Sequence, residues 1–193
     1  VVVRVAESFI RFGSFELCLG HPDIRTNTPN FGKDNPMISE LLDFTLKNYY
    51  SEIYKKNPDA LQQAVISMML EVMTRTAKMV AMWQVYGFTH GVMNTDNMSI
   101  HGITIDYGPF GFMEHFDQYY IPNSSDKWGR YAWKPQPKIA SWNLKKLYNG
   151  IKKTLGPETY AKIVDNHDKF YWDTYNNFYF SIMAKKLGFL GSE

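Results

Sequence analysis

One cysteine, Cys18, stands among 193 residues, so no disulfide can close within the chain, a usage that suits a reducing compartment. No apolar run approaches the roughly 18–20 residues that a membrane-spanning helix needs, and no membrane partner is expected. Val1-Val2-Val3 lacks the basic start and extended apolar core of a secretory leader. A dominant charge sign is also missing: 21 Lys and Arg face 19 Asp and Glu, a formal net charge of +2. A nucleic-acid-binding domain would carry a basic stripe. Here Lys145-Lys146, Lys152-Lys153 and Lys185-Lys186 fall on helix-like segments and read as solvated faces, so no nucleic-acid partner is expected. An initiator Met is absent too. The chain opens inside an apolar, strand-like run from Val1 to Ala6, which reads as a piece of a longer protein.

Apolar and aromatic residues are plentiful, at 45% and 16%, enough for one substantial core in one domain or a large part of one. Val1 to Phe15 reads as a strand and a short helical or extended piece, with a turn at Gly13. Gly20 to Pro36 is rich in Pro, Asn, Gly and Asp and reads as an exposed loop. Asp34-Asn35-Pro36 resembles a helix start, with Met37, Leu41, Phe44 and Tyr49 near helical spacing. A second helix starts near Pro58-Asp59. In it Leu61, Val65, Met68, Val72, Thr76, Met79 and Trp83 recur at steps of three and four, and Gly87 stops it. Its methionines (Met68, Met69, Met73, Met79, Met82) read as adaptable core. Two β-prone runs, 98–100 and 103–105, flank His101-Gly102 and predict a tight hairpin. Gly108 to Pro137 has no period, but eight aromatics from Phe110 to Trp133 argue that it is ordered. From Pro137 helix returns, with Ile139, Trp142, Leu147 and Ile151 on one face and a stop at Gly156-Pro157. A last helical region, interrupted around Asn166-His167, ends at Gly188. The expected fold is mainly α with a small β-hairpin.

The chemistry concentrates between His90 and Gly111. A long helix leads into a loop, the loop into a hairpin, and the hairpin into Asp106-Tyr107-Gly108. That order resembles the lower lobe (C-lobe) of a protein kinase, in which a catalytic loop precedes a metal-binding Asp. His90-Gly91 stands where kinase-like small-molecule phosphotransferases carry His-Gly, and Asn97 lies seven residues after His90, at the metal-ligating Asn spacing. Magnesium takes hard oxygen ligands, which the Asp106 carboxylate and the Asn97 amide oxygen supply. A hairpin between them can bring both to one end of a strand pair. Each element alone has a commoner explanation: Asn94 to Asn97 as an Asx-type turn, Asp-Tyr-Gly as an ordinary turn, His90 as a structural hydrogen-bonder. Their order after a capped helix is what carries weight. One departure stands out. The kinase base Asp would fall two residues after His90, and Val92 occupies that place. Asp96 is the nearest carboxylate that could act as base instead.

The runs HGVMNTDNMSI (90–100) and ITIDYGPFGF (103–112) closely resemble the selenoprotein O family of atypical kinase-fold proteins. So do Arg4-Val5-Ala6 and IRFGSFE (10–16) upstream, and Ser125-Asp126, Gly129-Arg130-Tyr131, Gln136-Pro137 and Trp142-Asn143-Leu144 downstream. The resemblance implies that residues 1–193 are a fragment of a kinase-like catalytic domain, covering mainly its C-lobe. It implies a protein adenylyltransferase that binds ATP in a flipped orientation and transfers AMP to Ser, Thr or Tyr hydroxyls of protein substrates. By position, Asn97 and Asp106 would bind Mg2+, or Mn2+ in its place, Asp96 would be the catalytic base, and Arg4 and Arg11 would join Asp106 in holding ATP. Arginine's planar multi-donor head suits phosphate. The flipped nucleotide offers a route past Val92, because moving the reacting phosphorus changes which carboxylate must reach the acceptor.

The family's Gly-rich loop, strand Lys and helix Glu would lie before Val1, so the isolated piece is expected to bind ATP poorly and to be inactive. A tail that in some members carries selenocysteine would lie beyond Glu193. Many relatives have Cys where Pro122 stands, which argues against a redox link there. The family implies mitochondria for a eukaryotic member and cytoplasm for a bacterial one. The alternative is a catalytically inactive pseudokinase that binds nucleotide or a protein partner, which Val92 favours.

Overall fold

Residue order dictates a helical scaffold around one irregular loop. The computed structural model describes residues 3–17, 36–58 and 60–189. Cys18, Asp34-Asn35, Asp59 and nearly all of the expected Gly20 to Pro36 loop lie outside the described residues. Six α-helices are described: α1 (Phe12–Leu17), α2 (Pro36–Tyr49), α3 (Ser51–Lys56), α4 (Leu61–Tyr86), α5 (Gln136–Leu155) and α6 (Pro157–Lys186). Two short strands, β1 (Phe88–Thr89) and β2 (Gly111–Phe112), pair antiparallel, with Phe88 opposite Phe112 and Thr89 opposite Gly111.

The α4 helix is the spine. Its apolar repeat buries Val65, Met68, Met69, Val72, Met73, Thr76, Met79, Val80 and Trp83, and Gly87 caps it in the left-handed region at φ 71°. α5 and α6 pack along it, and α1 packs on α5. One core joins Phe12 and Phe15 of α1, Leu42 and Leu46 of α2, the α4 face, Leu144 to Ile151 of α5, and Tyr171 and Tyr175 of α6. Each buried Leu or Met side chain contributes about 1.5–3 kcal/mol, so this cluster dominates the stability of the fold.

Several expectations change. Met82 is 42% exposed, unlike the four methionines that join the core. On α2 the core face is Ile38, Leu42, Thr45 and Leu46, while Met37 and Phe44 are exposed. Apolar residues on both sides of that helix disguised its phase. On α5 Trp142 faces outward and carries Arg130 and Lys146 over its ring, while Ala140, Leu144, Leu147, Tyr148 and Ile151 turn inward. The break expected at Asn166-His167 is absent. α6 runs straight through, because His167 is fully buried and shares a 2.9 Å hydrogen bond with Ser141 Oγ. No strand forms over 3–10, where a sheet partner is missing among the described residues, and α1 passes through the expected Gly13 turn. The 98–105 hairpin does form, as a single antiparallel bridge between Met98 and Thr104 with a Gly102 N–H to Ser99 O bond of 3.1 Å at its tip.

Candidate active site

Between β1 and the 3-10 turn at Thr95–Asn97, residues 90–94 have no regular structure, so backbone polar groups of this loop find partners in side chains. Four amides provide them. Gln136 Oε1 accepts the His90 N–H and its Nε2 donates to Phe88 O. Asn123 Nδ2 donates to Gly91 O at 3.0 Å, Asn143 Nδ2 to Met93 O at 2.8 Å, and Asn97 Nδ2 to Val92 O at 3.0 Å. Gln136 and Asn143 are wholly buried in the N-terminal half of α5, so the helix acts as a rigid mount for the loop.

His90 is a brace between the two ends of the site. Its Nε2–H donates to Ile105 O at 2.8 Å, and its Nδ1 accepts the Val92 N–H at 3.4 Å, a tautomer assigned from these partners. Burial holds the imidazole below its ordinary pKa, against the opposing pull of the Ile105 carbonyl and the Asp106 carboxylate. A neutral ring tied at both nitrogens positions backbone; it has no free nitrogen for proton transfer.

Asn97 ends a 3-10 turn, Thr95–Asn97, and is buried. With its Nδ2 held by Val92 O, its Oδ1 has no hydrogen-bond partner among the described residues. Asp106 is exposed and sits at φ 56°, the one non-glycine residue with positive φ among those described. Left-handed backbone costs an L-residue roughly 1–2 kcal/mol, less for Asp, and is retained where the surroundings over-determine it. Here the Gly108 N–H bonds Asp106 O at 2.8 Å, and His90 fixes the preceding carbonyl. The Met98–Thr104 bridge puts Asn97 one position and Asp106 two positions beyond the same antiparallel pair.

The N-terminal segment docks on this loop. Phe12 N–H donates to Met98 O at 2.9 Å, Ile100 N–H to Ile10 O at 3.2 Å, and Thr95 Oγ1 to Glu16 Oε2 at 2.7 Å. Arg11 pairs with Ser99 through a bridge, and its buried Nε has no hydrogen-bond partner among the described residues. Asp96 is exposed, and its carboxylate lies against the buried Cα of Gly13. Arg4 is exposed and lines a cavity of about 570 Å³ with Arg75, Lys78, Thr104 and Tyr107. The structure therefore gathers Arg11, Asp96 and Asn97 at the docked loop, with Asp106 across the bridge. Arg4 stands apart from Arg11, on the Tyr107 side. A larger cavity of about 780 Å³ lies between the start of α4 and α6, and none of these residues lines it.

Residues 1–193 match the family model described as Protein adenylyltransferase SelO. The chain belongs to the SelO family. It is 45% identical over 194 residues to Protein adenylyltransferase SelO-1, mitochondrial, of Danio rerio, covering 100% of this chain and 27% of that protein. Against Protein adenylyltransferase SelO, mitochondrial, of Homo sapiens, identity is 41% over 196 residues, covering 100% and 28%. Against Protein nucleotidyltransferase YdiU of Thiobacillus denitrificans it is 38% over 188 residues, covering 97% and 34%. The chain thus spans about a quarter to a third of the length of the curated SelO relatives it matches. Sequence reasoning gave no structural role to Asn123, Gln136 or Asn143, and took Gly13 for a turn. The amides contact the SelO loop from 32 to 50 positions away, and no local pattern signals that.

Proposed function

We propose that the longer protein containing this chain is a protein adenylyltransferase dependent on Mg2+ or Mn2+, and that residues 1–193 form the kinase-like lower lobe of its active site. The relatives' names support the transferase class. The observation that carries the reading here is the open Asn97 Oδ1 beside the bridge that leads to Asp106. One amide oxygen and one exposed carboxylate are the hard donor set that Mg2+ or Mn2+ takes together with substrate phosphates. When bound, the ion would neutralise phosphate charge.

The chain's own residues account for the rest. Among the described residues the buried Nε–H of Arg11 is unpaired, a cost of about 1–3 kcal/mol that an anionic phosphate oxygen would recover. Arg4 adds a second, exposed cation for the phosphates. Asp96 accepts no hydrogen bond among the described residues, so its lone pairs are open to an acceptor hydroxyl. In the proposed step the Ser, Thr or Tyr oxygen bonds to the α-phosphorus of ATP. The bond from that phosphorus to the bridging oxygen breaks, pyrophosphate leaves, and Asp96 takes the hydroxyl proton. The site would be mitochondrial in a eukaryotic host, as in the names of the vertebrate relatives, and cytoplasmic in a bacterial one.

Val92, standing where kinases carry their base, supports a second reading as a pseudokinase that binds nucleotide or a protein partner without chemistry. Full-length protein incubated with ATP, Mg2+ and a model protein substrate separates the two by intact mass. An added adenylate, lost in Asp106→Ala, supports the transferase. An added phosphate, or no transfer by well-folded protein, overturns it.

A further inference from the structure

Gly13 lies in the first turn of α1, buried against the loop. A Cβ built on it would overlap Asp96 Oδ1 and stand 3.2 Å from Asp96 Cγ and 3.4 Å from Asp96 N. The helix cannot back away to make room. Phe12 N–H is bonded to Met98 O, Ile100 N–H to Ile10 O, and Thr95 Oγ1 to Glu16 Oε2, so α1 is tied to the loop on both sides of Gly13. Phe12 and Phe15 are fully buried, and the far side of α1 rests on α5.

We infer that Gly13 is the positioning residue for the Asp96 carboxylate. The bare Cα gives that carboxylate a seat without offering a hydrogen bond, which fixes its direction while leaving its lone pairs unengaged. Any side chain at position 13 turns the carboxylate to another rotamer. Because Oδ1 is the end of a short, exposed side chain, the turn is inexpensive for folding. It is expensive for chemistry, since a displacement of about 1 Å at a reacting group costs on the order of 100-fold in rate. The contact stands on geometry alone, while the rate consequence rests on the adenylyltransferase reading of Asp96.

The test is a four-protein cycle in the full-length protein: wild type, Gly13→Ala, Asp96→Ala and the double variant. Gly13→Ala is expected to lower kcat for AMP transfer roughly 10- to 100-fold, with the Kd for Mg-ATP and the thermal midpoint nearly unchanged. In the Asp96→Ala background, adding Gly13→Ala is expected to cause no further loss, because the group it acts through is gone. A merely structural Gly13 would instead give the same fold-loss in both backgrounds, which would overturn the inference, as would Gly13→Ala activity above half of wild type. If wild type transfers no adenylate, the functional reading fails on its own. A crystal structure of Gly13→Ala then decides the contact: Asp96 in a new rotamer supports the inference, and Asp96 unmoved overturns it.

Discussion

Gln136 holds His90 from 46 positions along the chain, accepting its backbone N–H at 2.9 Å, and the same amide donates to the Phe88 carbonyl at 2.9 Å. Both bonds are buried. Gln136→Ala strands an N–H and a C=O, each at about 1–3 kcal/mol. The expected loss is roughly 2–6 kcal/mol, read as a lower urea midpoint with an unchanged slope. Gln136→Met fills the same space and strands the same groups, so it is expected to fall nearly as far. A loss under about 1 kcal/mol in both would mean that water replaces the amide and that the loop is not mounted on α5.

Asp106 separates folding from function at one residue. Its left-handed backbone at φ 56° suits glycine, strains alanine, and is partly tolerated by Asp. Asp106→Gly and Asp106→Ala both remove the carboxylate, so both are expected to abolish AMP transfer by the full-length protein. Their stabilities should differ by about 1 kcal/mol in favour of glycine. Equal stabilities in denaturant melts would show that the backbone there relaxes and that the strain does not hold Asp106 in place.

Much of this was legible locally. α4 announced itself because one unbroken apolar stripe ends at Gly87, and the hairpin around Gly102 because two β-prone runs flank a turn. The candidate site residues from His90 to Asp106 form one contiguous stretch, so their order could be read directly. What was misread depends on tertiary choice. Met37 and Phe44 of α2 are as apolar as Ile38 and Leu42, and only packing decides which side is buried. His167 looks like a helix interruption until Ser141 supplies its partner from α5. The β1–β2 pair is two residues long and closes over a gap of more than twenty, too short for any periodicity. Gln136, Asn123 and Asn143 are amides whose role depends entirely on the backbone they meet.

His167 gives the helical core its acid sensitivity. Burial, helped by the Lys145 ammonium and opposed by Asp168, pushes its pKa from the ordinary 6.5 down to about 4. Its Nε2 bonds Ser141 Oγ at 2.9 Å, and its buried Nδ1 has no hydrogen-bond partner among the described residues. Above pH 6.5 both folded and unfolded chains hold the ring neutral, and its contribution is fully present. As pH falls from 6.5 toward 4, the unfolded chain takes up a proton that the native state refuses. Stability therefore drops, at a limiting rate of about 1.4 kcal/mol per pH unit and by roughly 3 kcal/mol in all. His90 and His101 are also shifted down by burial and add to the slope. His167→Gln should therefore flatten the stability profile between pH 6.5 and 4 without levelling it. A variant profile parallel to wild type would place the acid sensitivity elsewhere.

The proposed metal dependence can be tested through donor chemistry. Asn97 offers an amide oxygen and Asp106 a carboxylate, with no sulfur or imidazole nitrogen: the His90 ring is committed at both nitrogens. Such a pair favours hard ions, so chelation should abolish AMP transfer by the full-length protein, and Mg2+ or Mn2+ should restore it. Asn97→Asp is informative because it keeps an oxygen ligand but loses the Nδ2–H that anchors the side chain to Val92 O. That carboxylate would also face the part-buried Val92 carbonyl oxygen in the absence of metal. The variant is thus expected to need higher Mg2+ for half-maximal rate and to be less stable without metal. Asn97→Ala should lose transfer at every Mg2+ concentration. If Asn97→Ala keeps the wild-type Mg2+ dependence, measured by titrating the rate at saturating ATP, Asn97 is not a ligand.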